Sequence, residues 1–410
     1  MVYQLKARDV GGKITISLPG SKSETNRLLV IQALSAGKVD ILNPSDARDS
    51  QVMHDLLLSE EKLLDAEDAG TVMRFLAAYF SLSPGEKILT GSARMKERPI
   101  GPLVEALRSI GAKIKYLGKE GYPPIQILGG NLYGGELYLD GKQSSQFASA
   151  LILIAPYIPG GLTLHIAKDQ VSKSYIDLTL GILKILGIEM LVSIDKIQIL
   201  PGIYSEMKWT IEGDYSSASY WFEWLCFLPD DVEIKLRALK LDSYQPDKAV
   251  IEIFSRLGIA TSFDEDGITI SKIPNFIMPE HTLHFDCRET PDLAQTIAVA
   301  CAGMGIDVSI TGLSTLRIKE TDRIAALEKE LRKLGLQPMS GENEIRIPKG
   351  IIKMPDEPIQ TYGDHRMVMA FAPLVSKLGE LSIFDPKQVR KSYPGFWDDT
   401  QNFCEIVSIK

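Results

Sequence analysis

Basic and hydroxyl residues gather at places where a helix should begin. The first is Leu18-Pro19-Gly20-Ser21-Lys22-Ser23-Glu24-Thr25-Asn26-Arg27. An apolar-alternating run over 14–18 predicts a strand, Pro19-Gly20 breaks it, and Ser21 and Ser23 are placed to cap a helix reaching residue 34. A helix opening leaves backbone N–H groups free and carries partial positive charge, so it suits a phosphate or carboxylate. Lys22 adds a full charge, and Arg27, about one turn further on, has a fork suited to a second anion. The same residues also describe an ordinary capped helix with surface charges. A nucleotide P-loop is excluded, because no G-x-x-x-x-G-K frame exists here.

Comparable starts recur. Gly70-Thr71 with Arg74 is the second, Ser144-Ser145-Gln146 the third and Ser216-Ser217 the fourth. Asp292 marks the fifth and Gly363-Asp364-His365-Arg366 the sixth. They fall near residues 21, 70, 144, 216, 291 and 364, about 73 residues apart except for a first interval of about 49. A second helix type ends in an L-G-type stop, with copies over 103–111, 176–187, 247–258 and 323–335. Each is followed by an alternating hairpin, over 113–128, 189–200, 259–270 and 336–347. The pattern predicts six copies of a strand–helix–strand–helix–hairpin unit, three to a domain. The first copy lacks a hairpin, keeping only a helix near 51–58 and the stretch 60–67. The domain boundary is expected near Glu212-Gly213, giving domains 19–212 and 1–18 plus 213–410, with a first strand over 3–18 serving the second domain.

Composition narrows the class. Of 410 residues, 45% are hydrophobic and 24% charged, as in soluble globular proteins. The net charge of −8 argues against a nucleic-acid surface. Four cysteines without C-x-x-C spacing and five scattered histidines suggest neither a disulfide framework nor a metal site. The longest apolar run, 147–158, contains Pro156 and is too short to span a bilayer. Lys6, Arg8 and Asp9 arrive too early for a signal peptide, so a cytoplasmic protein is expected.

Read together, the segments LPGSKSETNR (18–27), DAGTVMR (68–74), RMKERPI (94–100), SSQF (144–147), VSKSYID (171–177), GDYSSASY (213–220), RIKETDR (317–323), YGDHRM (362–367) and RKSYPGFW (390–397) resemble the 5-enolpyruvylshikimate-3-phosphate synthase family. They keep that family's order along the whole chain. The resemblance implies an α/β fold of two domains, each an inside-out α/β barrel built from three β-α-β-α-β-β repeats, with the ligands in a cleft between domains. It implies transfer of the enolpyruvyl group of phosphoenolpyruvate to the 5-hydroxyl of shikimate 3-phosphate, on the route to chorismate and aromatic amino acids. The family is the target of glyphosate. No cofactor, metal or macromolecular partner is implied, and the family suggests a monomer.

By the same resemblance, Asp292 is the base near the hydroxyl, Glu320 exchanges a proton with the methylene carbon, and Lys22 serves the departing oxygen. On helix rules alone Asp292 is also a cap after Pro291, and Glu320 an i, i+3 partner of Arg323. Lys22, Gly70, Arg98, Gln146, Arg323, Arg366 and Lys391 look like the phosphoenolpyruvate side. Lys22, Ser23, Arg27, Ser144, Ser145, Gln146, Ser172, Tyr175, Asp292 and Lys319 look like the shikimate-phosphate side. His365 reads as support for Arg366. Asp68, Phe75 and Thr315 stand where the family commonly has Asn, Pro and Asn. Two rivals are a UDP-N-acetylglucosamine enolpyruvyl transferase and a non-catalytic sugar-phosphate binder. The first expects a cysteine near 92–98, where this chain has none, and the second has no use for Asp292 and Glu320.

Overall fold

The computed structural model describes residues 1–140, 144–167 and 171–409. The chain divides into two compact units, Ser21–Ile211 and Met1–Gly20 joined with Glu212–Lys410. Each has its own apolar core.

In the unit Ser21–Ile211, helices Lys22–Leu34, Gly70–Leu82 and Ser145–Ile154 touch one another. The second of these buries Val72, Met73, Phe75, Leu76, Ala77, Ala78 and Phe80, leaving no polar stripe, which is the pattern of a helix enclosed on all sides. Around them lie small sheets of one design. Strand Leu63–Asp65 runs parallel to Gly85–Thr90, with the 70–82 helix as the crossover between them. The hairpin Lys113–Tyr116 and Ile125–Gly129 then adds on antiparallel. Gly135–Leu139 and Leu162–Ile166 repeat the parallel pair, with the hairpin Met190–Val192 and Lys196–Ile199 added. The expected missing hairpin has a structural counterpart. Among the described residues, Val39–Leu42 pairs only with Met207–Thr210, in parallel.

The other unit repeats the design. Leu283–Asp286 and Val308–Thr311 run parallel around helix Ala294–Met304, and Met339–Ser340 with Glu344–Ile347 completes that sheet. Leu283 and Phe285 alternate with exposed residues, as do Ile345 and Ile347, so each strand buries one face. Lys13–Ser17 runs parallel to Glu233–Arg237, which carries the hairpin Ile259–Asp264 and Gly267–Lys272. The whole other unit is inserted into this one crossover. The chain leaves after Gly20 and returns at Glu212, where Gly20 and Gly213 form a β-bridge. The predicted single strand over 3–18 is two strands. Val2–Ala7 lies between Glu380–Phe384 and Cys404–Ile409 in a separate sheet.

Helices Tyr215–Phe227 and His365–Phe371 both pack on the 294–304 helix. Trp221, Trp224, Phe396 and Phe403 fill the space behind them, with Trp224 and Phe403 ring centroids 4.9 Å apart. The L-G stops work by backbone geometry. After helices Lys173–Ile185 and Arg323–Lys333, Gly187 and Gly335 take φ values of 81° and 85°, a left-handed conformation that favours glycine. Among the described residues, no helix is long and apolar enough to cross a membrane, and no group of three or more His, Cys, Asp and Glu side chains could hold a metal ion.

Candidate active site

In the unit that carries both termini, one arginine is the hub. Arg323 opens helix Arg323–Lys333, which Asp322 caps by accepting from Ala325 N at 3.1 Å. The Arg323 side chain is 2% exposed. Its Nε donates to Asp364 Oδ2 at 2.6 Å, its Nη1 to Asp292 Oδ1 at 3.0 Å and its Nη2 to Glu320 Oε2 at 2.9 Å. A planar fork satisfied on every edge is held in one orientation. Burial alone would lower its pKa, but Asp364, Glu320 and Asp292 outweigh that and push it above the ordinary arginine value.

Asp292 stands on the single turn Pro291–Leu293 ahead of the 294–304 helix. Arg366 Nη2 donates to Asp292 Oδ2 at 2.7 Å, and Lys319 Nζ lies 3.7 Å from Oδ1. Arg366 also donates from Nη1 to the Asp292 carbonyl at 3.2 Å and to Tyr220 Oη at 3.3 Å. Glu320 receives Lys391 Nζ at 3.1 Å. Thus Asp292, Lys319, Glu320, Arg323, Arg366 and Lys391, drawn from four separate segments, converge here. Two carboxylates sit at different edges of one guanidinium with cations on their outer sides. Such an arrangement can bind anions and move protons, provided an incoming anion takes over the cations.

The unit Ser21–Ile211 holds two further groups. Lys22 is the first residue of its helix, and Ser21 alone is the cap, accepting from Glu24 N at 3.4 Å. Ser23 is therefore inside the first turn and not a second cap. Lys22 Nζ is 3.1 Å from Asp49 Oδ2. Arg27 is 3% exposed. Its Nε donates to Thr179 Oγ1 at 2.8 Å, Nη1 to Ser23 O at 2.7 Å and Nη2 to Tyr175 O at 3.1 Å. Burial lowers its pKa to about 10, with Tyr175 and Glu24 opposing. Arg27 also lies over the Phe75 ring at 5.5 Å from its centroid, so Phe75 gives the cation an aromatic floor. Ser172 caps the 173–185 helix in a left-handed conformation, φ 56°, and accepts from Tyr175 N at 3.1 Å through its carbonyl.

Beside them, Gly70 begins its helix against two guanidinium groups. A Cβ at Gly70 would lie 2.5 Å from Arg74 Nη1 and 2.6 Å from Arg98 Nη2. Arg98 Nη1 donates to Asp68 O at 3.2 Å. Ser92 Oγ donates to the Asp68 carboxylate, and Ser92 Oγ also accepts from Met95 N, so Asp68 is tied to the 92–98 loop. Ser144 caps the helix Ser145–Ile154 through Gln146 N at 3.3 Å, and Gln146 Nε2 donates to Thr71 Oγ1 at 3.0 Å. Gly70, Arg98 and Gln146 are thereby neighbours. Thr315 lies in the turn Ser314–Ile318, and nothing in the structure explains its identity.

One reading of the sequence changes. Not every helix start is open to a ligand anion. Asp214 accepts from Ser217 N at 2.7 Å and Asp364 from Arg366 N at 2.9 Å, so protein carboxylates cap the fourth and sixth starts. His365 Nδ1 lies 3.7 Å from Asp364 Oδ1, the same atom that accepts from Arg366 N. Sequence reasoning missed Asp49 and Thr179, which lie in no spacing pattern that announces a role, and it gave no role to Tyr220 within the segment 213–220.

A family model for "EPSP synthase (3-phosphoshikimate 1-carboxyvinyltransferase)" matches residues 56–400. A 3-phosphoshikimate 1-carboxyvinyltransferase of Bacteroides fragilis is 43% identical over 390 residues, covering 94% of both chains. One from Methanospirillum hungatei is 34% identical over 95% of both. The solved EPSP synthase of Acinetobacter baumannii shares the fold at a TM-score of 0.77 and 20% identity, over 99% of this chain and 100% of that one. By sequence along nearly its whole length, this chain belongs to the EPSP synthase (3-phosphoshikimate 1-carboxyvinyltransferase) family.

Proposed function

We propose that this chain transfers the enolpyruvyl group of phosphoenolpyruvate to the 5-hydroxyl of shikimate 3-phosphate, with Asp292, Glu320 and Lys22 moving the protons. The membership of the EPSP synthase family supports the reaction, and the Asp292–Arg323–Glu320 bridge is the observation that supports the roles. Asp292 takes the proton of the 5-hydroxyl as its oxygen bonds to C2 of phosphoenolpyruvate, while Glu320, which takes up a proton before the addition, delivers it to the methylene C3. The product of addition is a tetrahedral ketal. Elimination reverses the second transfer: C3 gives a proton back to Glu320, the C2–O bond to phosphate breaks, and Lys22 gives a proton to the departing oxygen, which balances the hydroxyl proton held by Asp292. Arg323, Arg366 and Lys391 take the anionic groups of phosphoenolpyruvate together with Gly70, Arg98 and Gln146. Ser23, Arg27, Ser144, Ser145, Ser172, Tyr175 and Lys319 take shikimate 3-phosphate.

Lys319, Arg323 and Arg366 lie within 3.7 Å of Asp292 and engage its carboxylate oxygens. Anionic substrates that engage those cations release it. Each unit is read as a three-fold assembly of the repeat with its helices inside, and the protein as a cytoplasmic monomer.

Asp292→Asn keeps the size and one acceptor but cannot take the proton. Turnover should fall by at least about a thousandfold, while titration calorimetry still detects shikimate 3-phosphate binding. An Asn variant with near-normal turnover removes the base assignment.

A further inference from the structure

Glu330 is a fully buried acid to which the transfer gives no task. It lies on helix Arg323–Lys333, seven residues after Arg323, so about two turns separate them and both face the same side. On that side the segment 358–364 runs back along the helix, tied at three levels. Lys333 Nζ donates to Pro358 O at 3.2 Å and lies 2.8 Å from Glu330 Oε2. Glu330 Oε2 accepts from Gln360 N at 3.0 Å, and Glu330 Oε1 accepts from Tyr362 Oη. Arg323 Nε then donates to Asp364 Oδ2 at 2.6 Å. Between the last two ties, Tyr362 and Gly363 take φ values of 54° and 69°. A tyrosine in the left-handed region is strained and persists only where its surroundings hold it. The bond from its hydroxyl to Glu330 supplies that hold, and Lys329 Nζ lies 5.7 Å from its ring centroid.

We infer that Glu330 is a positioning residue for the transfer: it fixes the register of the segment 358–364 on helix Arg323–Lys333 and so sets where Arg323 and Arg366 stand. This rests on the reading of those two arginines as phosphoenolpyruvate ligands. Asp364 follows Tyr362 by two residues. Its carboxylate takes Arg323 Nε and also caps the 365–371 helix, accepting from Arg366 N at 2.9 Å. A change in the turn at Tyr362 and Gly363 moves that carboxylate, and both guanidinium groups move with it. A buried carboxylate is costly unless donors meet it, and Glu330 meets Gln360 N, Tyr362 Oη and Lys333 Nζ. An apolar side chain of similar size would fill the space but leave Gln360 N and the Tyr362 hydroxyl without that acceptor.

The test is steady-state phosphate release with each substrate varied in turn, well below each variant's melting temperature. Tyr362→Phe keeps the ring and removes its bond to Glu330. It should raise the KM for phosphoenolpyruvate about fivefold, with the KM for shikimate 3-phosphate little changed. Glu330→Met removes every bond of the carboxylate and should raise the same KM roughly twentyfold or more. Tyr362→Phe decides the matter if Glu330→Met does not fold. Glu330→Gln can still accept from Gln360 N and donate to Tyr362 Oη, so it should recover most of what Glu330→Met loses. Variants that only melt earlier, or that raise both KM values alike, overturn the inference, as does a Glu330→Gln no better than Glu330→Met. Arg366→Gln measured alongside separates the two claims. A normal KM for phosphoenolpyruvate there removes the reading of Arg366 itself. A raised value there, with unchanged kinetics in Tyr362→Phe and Glu330→Met, removes only the role of Glu330.

Discussion

At the residue scale, Gly70 shows how one missing carbon shapes a site. Arg74 Nη1 and Arg98 Nη2 occupy the space a side chain would take, at 2.5 and 2.6 Å from an added Cβ. Both are far ends of flexible side chains, so Gly70→Ala should fold, but with the guanidinium groups displaced. Those groups are proposed to face phosphoenolpyruvate. The expected outcome is a KM for phosphoenolpyruvate raised roughly tenfold or more, about 1.4 kcal/mol, with the KM for shikimate 3-phosphate little changed. Steady-state kinetics with each substrate varied check this, and the opposite pattern of KM changes contradicts it. The types at this scale were legible in the sequence. A Lys or Arg beside a helix opening carries its chemistry in its own name. The partners were not, because pairing joins distant segments. Lys22 meets Asp49 across 27 positions, Arg27 meets Thr179 across 152, and Arg366 meets Tyr220 across 146. No local pattern encodes such a register.

At the scale of elements, the 215–227 and 294–304 helices repay attention because their contact contains a buried acid. Ser219 Oγ and Thr296 Oγ1 meet at 3.3 Å, and Glu223 lies one turn further along, fully buried, with neither carboxyl oxygen hydrogen-bonded among the described residues. Burial raises the Glu223 pKa well above the carboxylate range. The sign follows from linkage. Below about pH 4.5 the carboxyl is neutral in both folded and unfolded chains and costs nothing. As pH rises past that value the unfolded chain ionises it and the folded one does not, so stability falls until the raised folded value is reached. Glu223→Met should therefore gain ~1–3 kcal/mol at pH 8 and much less at pH 4. Denaturant unfolding at the two pH values tests this, and an equal gain at both would contradict it. The elements themselves were readable, since apolar period, L-G stops and hairpin alternation all recur. Their ends were less so. The helix expected over 51–58 begins at Arg48, and the strand expected over 3–18 is broken into Val2–Ala7 and Lys13–Ser17. The segment Arg8–Gly12 between them is short and polar, and sequence alternation ran through it.

At the scale of the molecule, repetition explains why a chain of 410 residues needs only one supersecondary idea. A parallel strand pair around a helix, with a hairpin added, occurs twice in each unit. Basic and hydroxyl residues sit where successive copies place their helix starts, which is why a weak local signal gained force when read across the chain. The family match and the relatives at 43% and 34% identity then supply the reaction that these residues are proposed to perform. The account's central claim is that this chain uses shikimate 3-phosphate as acceptor. The direct measurement is release of inorganic phosphate from phosphoenolpyruvate by the purified protein, with shikimate 3-phosphate or UDP-N-acetylglucosamine offered separately. The account predicts steady turnover with shikimate 3-phosphate and none with UDP-N-acetylglucosamine. Release with the nucleotide sugar alone, or with neither acceptor, would contradict it.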